Sequence, residues 1–496
     1  MKIILIGIIT FFISLSATGA ELTIDQQIDQ LLIPVADLFT SIIFYSVDVA
    51  GTQFPLIVLW LIVAAVIFTV YFGFLNIRGF SHSCKVIRGD FSNPDDPGEV
   101  SHFQALTTAL SGTVGLGNIA GVAIAVSIGG PGATFWMIIA GFMGMSTKFL
   151  ECTLGVKYRR INAQGQVHGG PMYYLKDGLA ELGFKKLGKV LASFFAVCCV
   201  VASLCGSNML QSNQAFQQFV IAMGNETSFW ADKGWLFGSI LAVVIGVVII
   251  GGIKSIVKVT EKVVPLMAGL YLSAALFVLA YHYTEIPHAV SLIINGAFNP
   301  TGVVGGIIGV MIQGFKRSTF SSEAGVGAAS IAHATASTKE PVREGYVALL
   351  EPFIDTIVIC TITALVIVIT GAYQTTEGID GVALTSRAFA SVIWWFPYVL
   401  SVAVLMFAIS TMISWAYYGS IAWGYLVGES KVLDLLYKVV FCMCTALGAS
   451  VSLNAVIAIS DSMFFSMAIA NIIGLYFLAP QVKVDLKQYQ KTYCPK

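Results

Sequence analysis

Long apolar runs dominate this chain and constrain its fold more than any other feature. A helix needs about 20 apolar residues to cross the roughly 30 Å hydrocarbon core of a bilayer. The composition agrees, since 57% of the 496 residues are hydrophobic and 11% are charged. We predict an all-α polytopic membrane protein with about 11 transmembrane helices. The spans lie near residues 55–77, 103–129, 131–155, 188–210, 234–253, 260–282, 303–333, 345–370, 390–425, 433–450 and 454–479.

The first twenty residues have the pattern of a secretory signal peptide. Lys2 precedes a thirteen-residue apolar core, and the segment ends on the small residues Thr18 and Ala20. That core is too short to span a bilayer, which favours a cleaved leader at 1–20. An uncleaved anchor is the alternative. The segment 21–100 then holds one extra transmembrane helix and an inner loop.

The distribution of basic residues predicts the orientation of the spans. Twenty of the 27 lysines and arginines fall in segments that would face the cytoplasm, while only Lys233 and Arg387 fall in outer loops. Cytoplasmic loops of membrane proteins carry such an excess. We therefore expect the mature N-terminus outside and a cytoplasmic tail at 481–496. We assign the protein to the bacterial inner membrane.

The ten spans after the first divide into two sets of five, at 101–285 and 286–480. Because five is odd, the second set enters the membrane from the opposite face, which is the arrangement of an inverted repeat. The leading span of each set is interrupted by glycines and polar residues, at Gly115–Ala120 and at Gly325–Ser330. Paired interruptions of this kind indicate a substrate site near the bilayer midplane.

A break in a membrane helix exposes backbone polar groups, which costs several kcal/mol each unless they line a cavity or meet a ligand. The N–H groups of Gly117, Asn118 and Ile119 would begin the second half-helix and suit a carboxylate. The carbonyl groups of residues 112–114 would end the first half-helix and suit a small cation such as sodium. The alternative is that these glycines only allow close helix packing.

Polar side chains in other spans are further candidates. Gln211 follows the fourth span and could contact an amino or carboxylate group, or could simply meet water at a helix end. Thr411 and Trp415 are four residues apart and share a helix face. The Ser410 and Thr411 hydroxyls suit sodium, and the Trp415 indole could limit substrate size. Such hydroxyls can also bond only to their own backbone.

Acidic residues inside a membrane span are costly and usually functional. Asp355 and Glu323 are therefore candidates for coupling or gating. Either could also relay a proton. The alternative for Glu323 is a structural ion pair with Arg317.

The missing motifs narrow the class of protein. The chain has no phosphate-binding G-x-x-x-x-G-K-[ST] loop, and its six histidines form no H-E-x-x-H pair. With a net charge of zero, the chain lacks the excess of basic residues that is typical of proteins that bind nucleic acid. We expect no ATP, no nucleic-acid partner, no cofactor and no enzymatic activity. A sodium-coupled carrier fits best, with a proton-coupled carrier using Asp355 or Glu323, or an ion channel, as alternatives.

Six segments resemble the signature blocks of the alanine or glycine:cation symporter family. They are GTVGLGNIAGVAIAVSIGGPGATFWM, KFLECTLGVKYR, GGPMYYL, FKRSTFSSEAGVGAASIAHATA, FIDTIVICTITAL and FAISTMISWAYYG, in this order between about residues 103 and 420. The chain departs from the family at Ser322, where an asparagine is frequent.

The resemblance implies a leucine-transporter-like fold, with a 5+5 inverted repeat preceded by one extra helix. It also implies cotransport of a small neutral amino acid, alanine or glycine, with sodium. The residues that it implies for the substrate are Gly115, Gly117, Asn118, Gln211, Phe320 and Trp415. Those that it implies for sodium are Thr113, Val114, Asn118, Ser410 and Thr411.

Overall fold

The computed structural model describes residues 24–49, 51–93, 95–163, 165–224, 227–300, 303, 305–375, 381–392, 394–450 and 454–493, most of which are helical. The leader at 1–20 lies outside these residues. The main helices are α1 (Ile24–Ile43), α2 (Leu56–Tyr71), α3 (Phe80–Arg88), α4 (His102–Thr113), α5 (Gly117–Gly129), α6 (Ala133–Lys157), α7 (Lys185–Ala222), α8 (Gly234–Ile250), α9 (Gly252–Tyr281), α10 (Ile286–Phe298), α11 (Gly306–Ser322), α12 (Ser330–His333), α13 (Pro341–Ile369), α14 (Val382–Ala390), α15 (Phe396–Val427), α16 (Lys431–Gly448) and α17 (Asn454–Tyr493).

Short elements connect these helices. Two antiparallel hairpins pair β1 (Ser46–Val49) with β2 (Thr52–Pro55) and β3 (Arg160–Ile161) with β4 (Val167–His168). Short helical turns lie at Leu75–Arg78, Pro171–Tyr173, Tyr174–Gly178, Leu179–Glu181, Tyr283–Glu285 and Ala372–Thr375.

Within the described residues, six helices are long and apolar enough to cross a membrane, and α4 with α5 would form a seventh, bent span. Helices α2 and α8 are apolar but have only 16 and 17 residues. Helix α16 includes Lys431, Asp434 and Lys438, which lower its hydropathy. The structure supports a multi-pass membrane protein, and the count of eleven spans stays a prediction.

Helix α6 packs closely behind the second predicted break. A Cβ atom added at Gly141 would lie 2.8 Å from the Thr356 side chain, and one added at Gly144 would lie 2.8 Å from the Ala324 Cβ. A Cβ atom at Gly155 would lie 2.8 Å from the Ser330 carbonyl oxygen. Small residues let membrane helices approach this closely. They bring α6 against both α13 and the chain between α11 and α12.

Helix α1 is an element that the apolar runs do not predict. It packs against α17, and Thr40 Oγ1 lies 3.3 Å from Ser462 Oγ across this contact. Helix α17 continues through Pro480 to Tyr493. Most of the predicted tail is therefore a continuation of the last helix.

Candidate functional site

The first leading span is broken where the sequence predicts. Helix α4 ends at Thr113, α5 begins at Gly117, and their axes differ by 54°. Val114 is extended, with φ −73° and ψ 96°. The Asn118 Oδ1 atom accepts a hydrogen bond of 2.8 Å from the Gly115 N–H. A side chain thus satisfies one of the backbone groups that the break exposes.

The second leading span is also broken. Helix α11 ends at Ser322, and Glu323 follows in the left-handed conformation, with φ 53°. Gly325 and Gly327 both have φ 92°, and helix α12 begins at Ser330. A non-glycine residue in the left-handed region is uncommon and costs roughly 1–3 kcal/mol. The strain at Glu323 marks this position as a functional candidate.

Asn118 joins the two breaks. Its Nδ2 atom donates to Ser321 Oγ at 3.1 Å and to Asp355 Oδ1 at 2.6 Å. Asp355 Oδ2 accepts from Ser321 Oγ and, at 2.8 Å, from Thr356 Oγ1. Asn118 and Asp355 are fully buried. The Asp355 carboxylate is thus satisfied by three side chains.

Wide π-helical turns occur where side chains converge on the breaks. They lie at Gly117–Gly121, Cys205–Met209 and Phe353–Cys360, and the last contains Asp355. Such turns are rare and frequently accompany functional sites.

A cavity of about 420 Å³ lies beside both breaks. This volume is in the range of small-molecule sites. The predicted site residues that line it are Thr113, Gly115, Gly117, Gln211, Phe320, Glu323, Thr411 and Trp415. The predicted residues that lie outside its lining are Val114, Asn118, Asp355 and Ser410.

The hydroxyls of α15 lie against the end of α4. Ser111 Oγ donates to the Ser410 carbonyl at 2.7 Å, and Ser410 Oγ donates to the Phe407 carbonyl at 2.9 Å. Thr411 Oγ1 is buried and has no hydrogen-bond partner among the described residues. A Cβ atom added at Gly115 would lie only 2.6 Å from Thr411 Oγ1. Any residue other than glycine at position 115 would therefore require the Thr411 side chain or the backbone to move.

The metal-binding capacity of this region rests on neutral oxygens. The part of the chain that the structure describes has no group of three His, Cys, Asp or Glu side chains that could hold a metal ion. Hydroxyl and carbonyl oxygens are hard ligands that suit hard cations. Thr411 and the carbonyls at the end of α4 are such ligands.

Aromatic rings form one wall of the cavity. Trp415 is 1% exposed, and its Nε1–H donates to Glu323 Oε1 at 3.1 Å. Its ring meets the Tyr418 ring edge-on, with centroids 5.4 Å apart. The Phe320 and Phe464 rings are stacked, with centroids 4.9 Å apart. Packed rings of this kind fix the width of the cavity.

Gln211 lies inside α7 instead of at its outer end. The helix continues to Ala222, beyond the predicted end at residue 210. Gln211 is buried, and its Oε1 atom has no hydrogen-bond partner in the described structure. Gln214 and Gln217 follow at intervals of three and also line the cavity. Gln211, Gln214 and Gln217 thus form a cavity-lining helix face.

Several lining or supporting residues escape the sequence analysis. Asp461 and Phe464 of α17 line the cavity, and Ser321 bonds to Asn118 beneath it. Asp461 falls in the last predicted apolar span, so the reasoning applied to Asp355 would have found it. Phe464 resembles any other apolar residue of its span and gives no signal.

Comparisons with known proteins match this chain to one family over nearly its whole length. Residues 37–494 match the sodium:alanine symporter family. The sodium/alanine symporter AgcS of Methanococcus maripaludis is 38% identical over 440 residues, which are 88% of this chain and 94% of AgcS. The probable sodium/glutamine symporter GlnT of Bacillus subtilis is 33% identical over 438 residues, 88% of each chain.

The fold is shared with a solved structure. The crystal structure of MhsT in complex with L-phenylalanine aligns with 78% of this chain and 98% of MhsT, with a TM-score of 0.53 and 15% identity. The sodium:alanine symporter family consists of symporters and not enzymes. From the match over nearly its whole length, the chain belongs to the sodium:alanine symporter family.

Proposed function

We propose that this protein carries a small neutral amino acid, alanine or glycine, into the cell together with sodium by alternating access. The observation that carries the proposal is one cavity that meets two broken helices and is walled by aromatic rings. Breaks of this kind place backbone dipoles beside a substrate. The relative AgcS is named as a sodium/alanine symporter, which supports the choice of substrate.

At the first break, the positive end of one half-helix and the negative end of the other lie close together, and each suits one of the two ligands. The positive end of α5, at Gly117, lines the cavity and would receive the substrate carboxylate. Sodium would lie between the carbonyls of Thr113 and Val114 and the hydroxyls of Ser410 and Thr411. A cation held beside a carboxylate strengthens its binding, and the effect is reciprocal. Sodium and substrate would therefore bind better together than apart.

Asn118 would act mainly by holding the break in shape. Its amide already bonds to Gly115, Ser321 and Asp355, which fixes the first break against the second. Gln211, Phe320 and Trp415 would border the substrate from the other sides of the cavity.

The proposed architecture has eleven spans, with inverted repeats at 101–285 and 286–480. The two broken helices head these sets, which supports the repeat. The excess of basic residues in the inner segments supports an inner-membrane protein with an outer N-terminus and a cytoplasmic C-terminus.

Uptake into liposomes tests the coupling ion. We expect reconstituted protein to accumulate labelled alanine against its gradient when sodium is imposed outside, with saturable kinetics. Accumulation driven by a proton gradient without sodium would instead establish a proton-coupled carrier, with Glu323 or Asp355 as the titrating group. Unsaturable downhill ion flux would establish a channel.

Trp415→Ala should widen the range of substrates. Removing the indole takes away a wall of the cavity, so we expect leucine uptake to become measurable. Alanine affinity should fall about tenfold, since the loss of a single methylene contact in a pocket already costs roughly 1–3 kcal/mol. Competition assays against labelled alanine measure both effects.

Trp423→Ala on the same helix is the matched control. The Trp423 indole donates to the Leu433 carbonyl at 3.1 Å and stacks near Tyr437. This variant should keep the narrow substrate range. An unchanged substrate range in Trp415→Ala would show that Trp415 does not limit the size of the substrate.

A further inference from the structure

The Glu323 carboxylate is buried at the second break with one oxygen left without a partner. Glu323 is 3% exposed and lines the cavity. Its Oε1 atom accepts from the Trp415 indole at 3.1 Å, while Oε2 has no hydrogen-bond partner among the described residues. An unsatisfied buried charged group is costly. A ligand that donates hydrogen bonds would remove this cost.

No side chain in the described structure neutralises Glu323 directly. Lys148 lies close enough to interact electrostatically, but its Nζ atom donates to Glu351 Oε1 at 2.9 Å. Arg317 also lines the cavity, yet no ion pair within 4.0 Å joins it to Glu323 in the described part of the chain. The structural pairing of Glu323 with Arg317 is therefore not made.

Glu323 and the start of α5 border the same cavity, as a ligand with two nearby opposite charges, such as an α-amino acid, would require. One carbon atom separates the carboxylate of such a molecule from its ammonium group. At the cavity, a Cβ atom added at Gly117 would lie 3.6 Å from the Ser321 Cα atom, so the two breaks are in contact. Glu323 follows Ser321 by two residues. The start of α5 and Glu323 therefore both border the cavity near the contact between the two breaks.

We infer that Glu323 receives the α-ammonium group of the substrate while the start of α5 receives its carboxylate. The other acid of the cavity, Asp461, is less buried and interacts electrostatically with Lys316 and Arg317. These two cations form no ion pair with another carboxylate of the described residues, whereas Lys148, the cation near Glu323, is paired with Glu351. Glu323 is thus the better acceptor for a cation supplied by the substrate.

This role would make the transporter select amino acids over hydroxy acids. A hydrogen bond between an ammonium and a carboxylate is charge-assisted and about twice as strong as a neutral one. Lactate has the shape of alanine but carries a hydroxyl in place of the ammonium group. The inference rests on the proposed function, since it assigns Glu323 as the partner of the ammonium group of an amino-acid substrate.

Glu323→Gln tests the inference and leaves the contact with Trp415 possible. The glutamine keeps an oxygen that can accept from the indole but removes the charge. We expect alanine affinity to fall roughly 10- to 100-fold, the effect of losing a hydrogen bond to a charged group. Inhibition by lactate should stay constant or increase. Both are measured by competition in liposomes under a fixed sodium gradient.

Two further variants separate the effect of the Glu323 charge from a general structural effect of changing a buried acid. Glu151→Gln alters a buried acid that bonds to Asn471 at 2.6 Å and does not line the cavity, and it should leave alanine affinity within about twofold of the wild type. If Glu323→Gln does not fold, Glu323→Asp keeps the charge and should retain the preference for alanine over lactate.

The outcomes distinguish the two proposals. Wild-type protein that takes up no alanine under a sodium gradient would overturn the proposed function. Wild-type uptake combined with unchanged alanine affinity in Glu323→Gln would overturn the role of Glu323 alone. Equal losses in Glu151→Gln and Glu323→Gln would also overturn it, since they would show a general effect of the buried acids.

Discussion

Gly115→Ala should abolish sodium-dependent alanine uptake, with a loss of at least about 100-fold. The added methyl group would lie 2.6 Å from Thr411 Oγ1, so the first break, α15 or the Thr411 rotamer has to change. A β-branched side chain in a helix has few χ1 rotamers, so relief of the clash displaces the hydroxyl from the proposed sodium position. A displacement of about 1 Å at a site can cost about 100-fold in rate. Initial rates of uptake under a sodium gradient measure the loss.

Gly121→Ala is the matched control, because the same change is made on the same broken span. A Cβ atom at Gly121 would have no atom within 4 Å. This variant should transport at nearly the wild-type rate and should also be as stable. Equal uptake by both variants would show that the space beside Thr411 has no part in sodium binding.

Asn118→Ala should also abolish uptake while the protein still reaches the membrane. The substitution leaves the Gly115 N–H, Ser321 and Asp355 without the partner that joins them. Each buried group without its partner costs about 1–3 kcal/mol. We expect a loss of more than about 100-fold in uptake, together with a lower melting temperature.

Asn76→Ala provides the comparison for stability. The Asn76 side chain is also buried, and it donates to the Phe142 carbonyl at 2.9 Å, away from the cavity lining. It should lower the melting temperature without changing alanine affinity. Normal alanine affinity in Asn118→Ala would contradict the role of Asn118 at the breaks.

Local composition allowed the two breaks to be predicted. Glycines and hydroxyls inside an apolar run are visible without any knowledge of the fold, and both runs prove to be interrupted helices. The end of α7 was misplaced, because the amide run after residue 210 reads as a helix end. The helix continues there because the amides of Gln211, Gln214 and Gln217 face the cavity and not lipid.

Contacts between distant parts of the chain could not be predicted in this way. Asn118 and Asp355 are 237 residues apart, and only the packing of α5 against α13 brings them together. Lys148 has Glu151 one turn away on its own helix, yet it pairs with Glu351. Helix α1 gives no signal as an apolar span because its exposed face includes polar residues such as Asp37 and Ser41.

The three glycines of α6 determine which parts of the molecule can slide past one another. Gly141, Gly144 and Gly155 leave no room between α6, the second break and α13. Helices already in close contact cannot move nearer to each other. A densely packed interior also transmits a displacement to the neighbouring elements. Any rocking that exposes the cavity to the other side must therefore carry these three elements as one rigid block, with the sliding surface elsewhere.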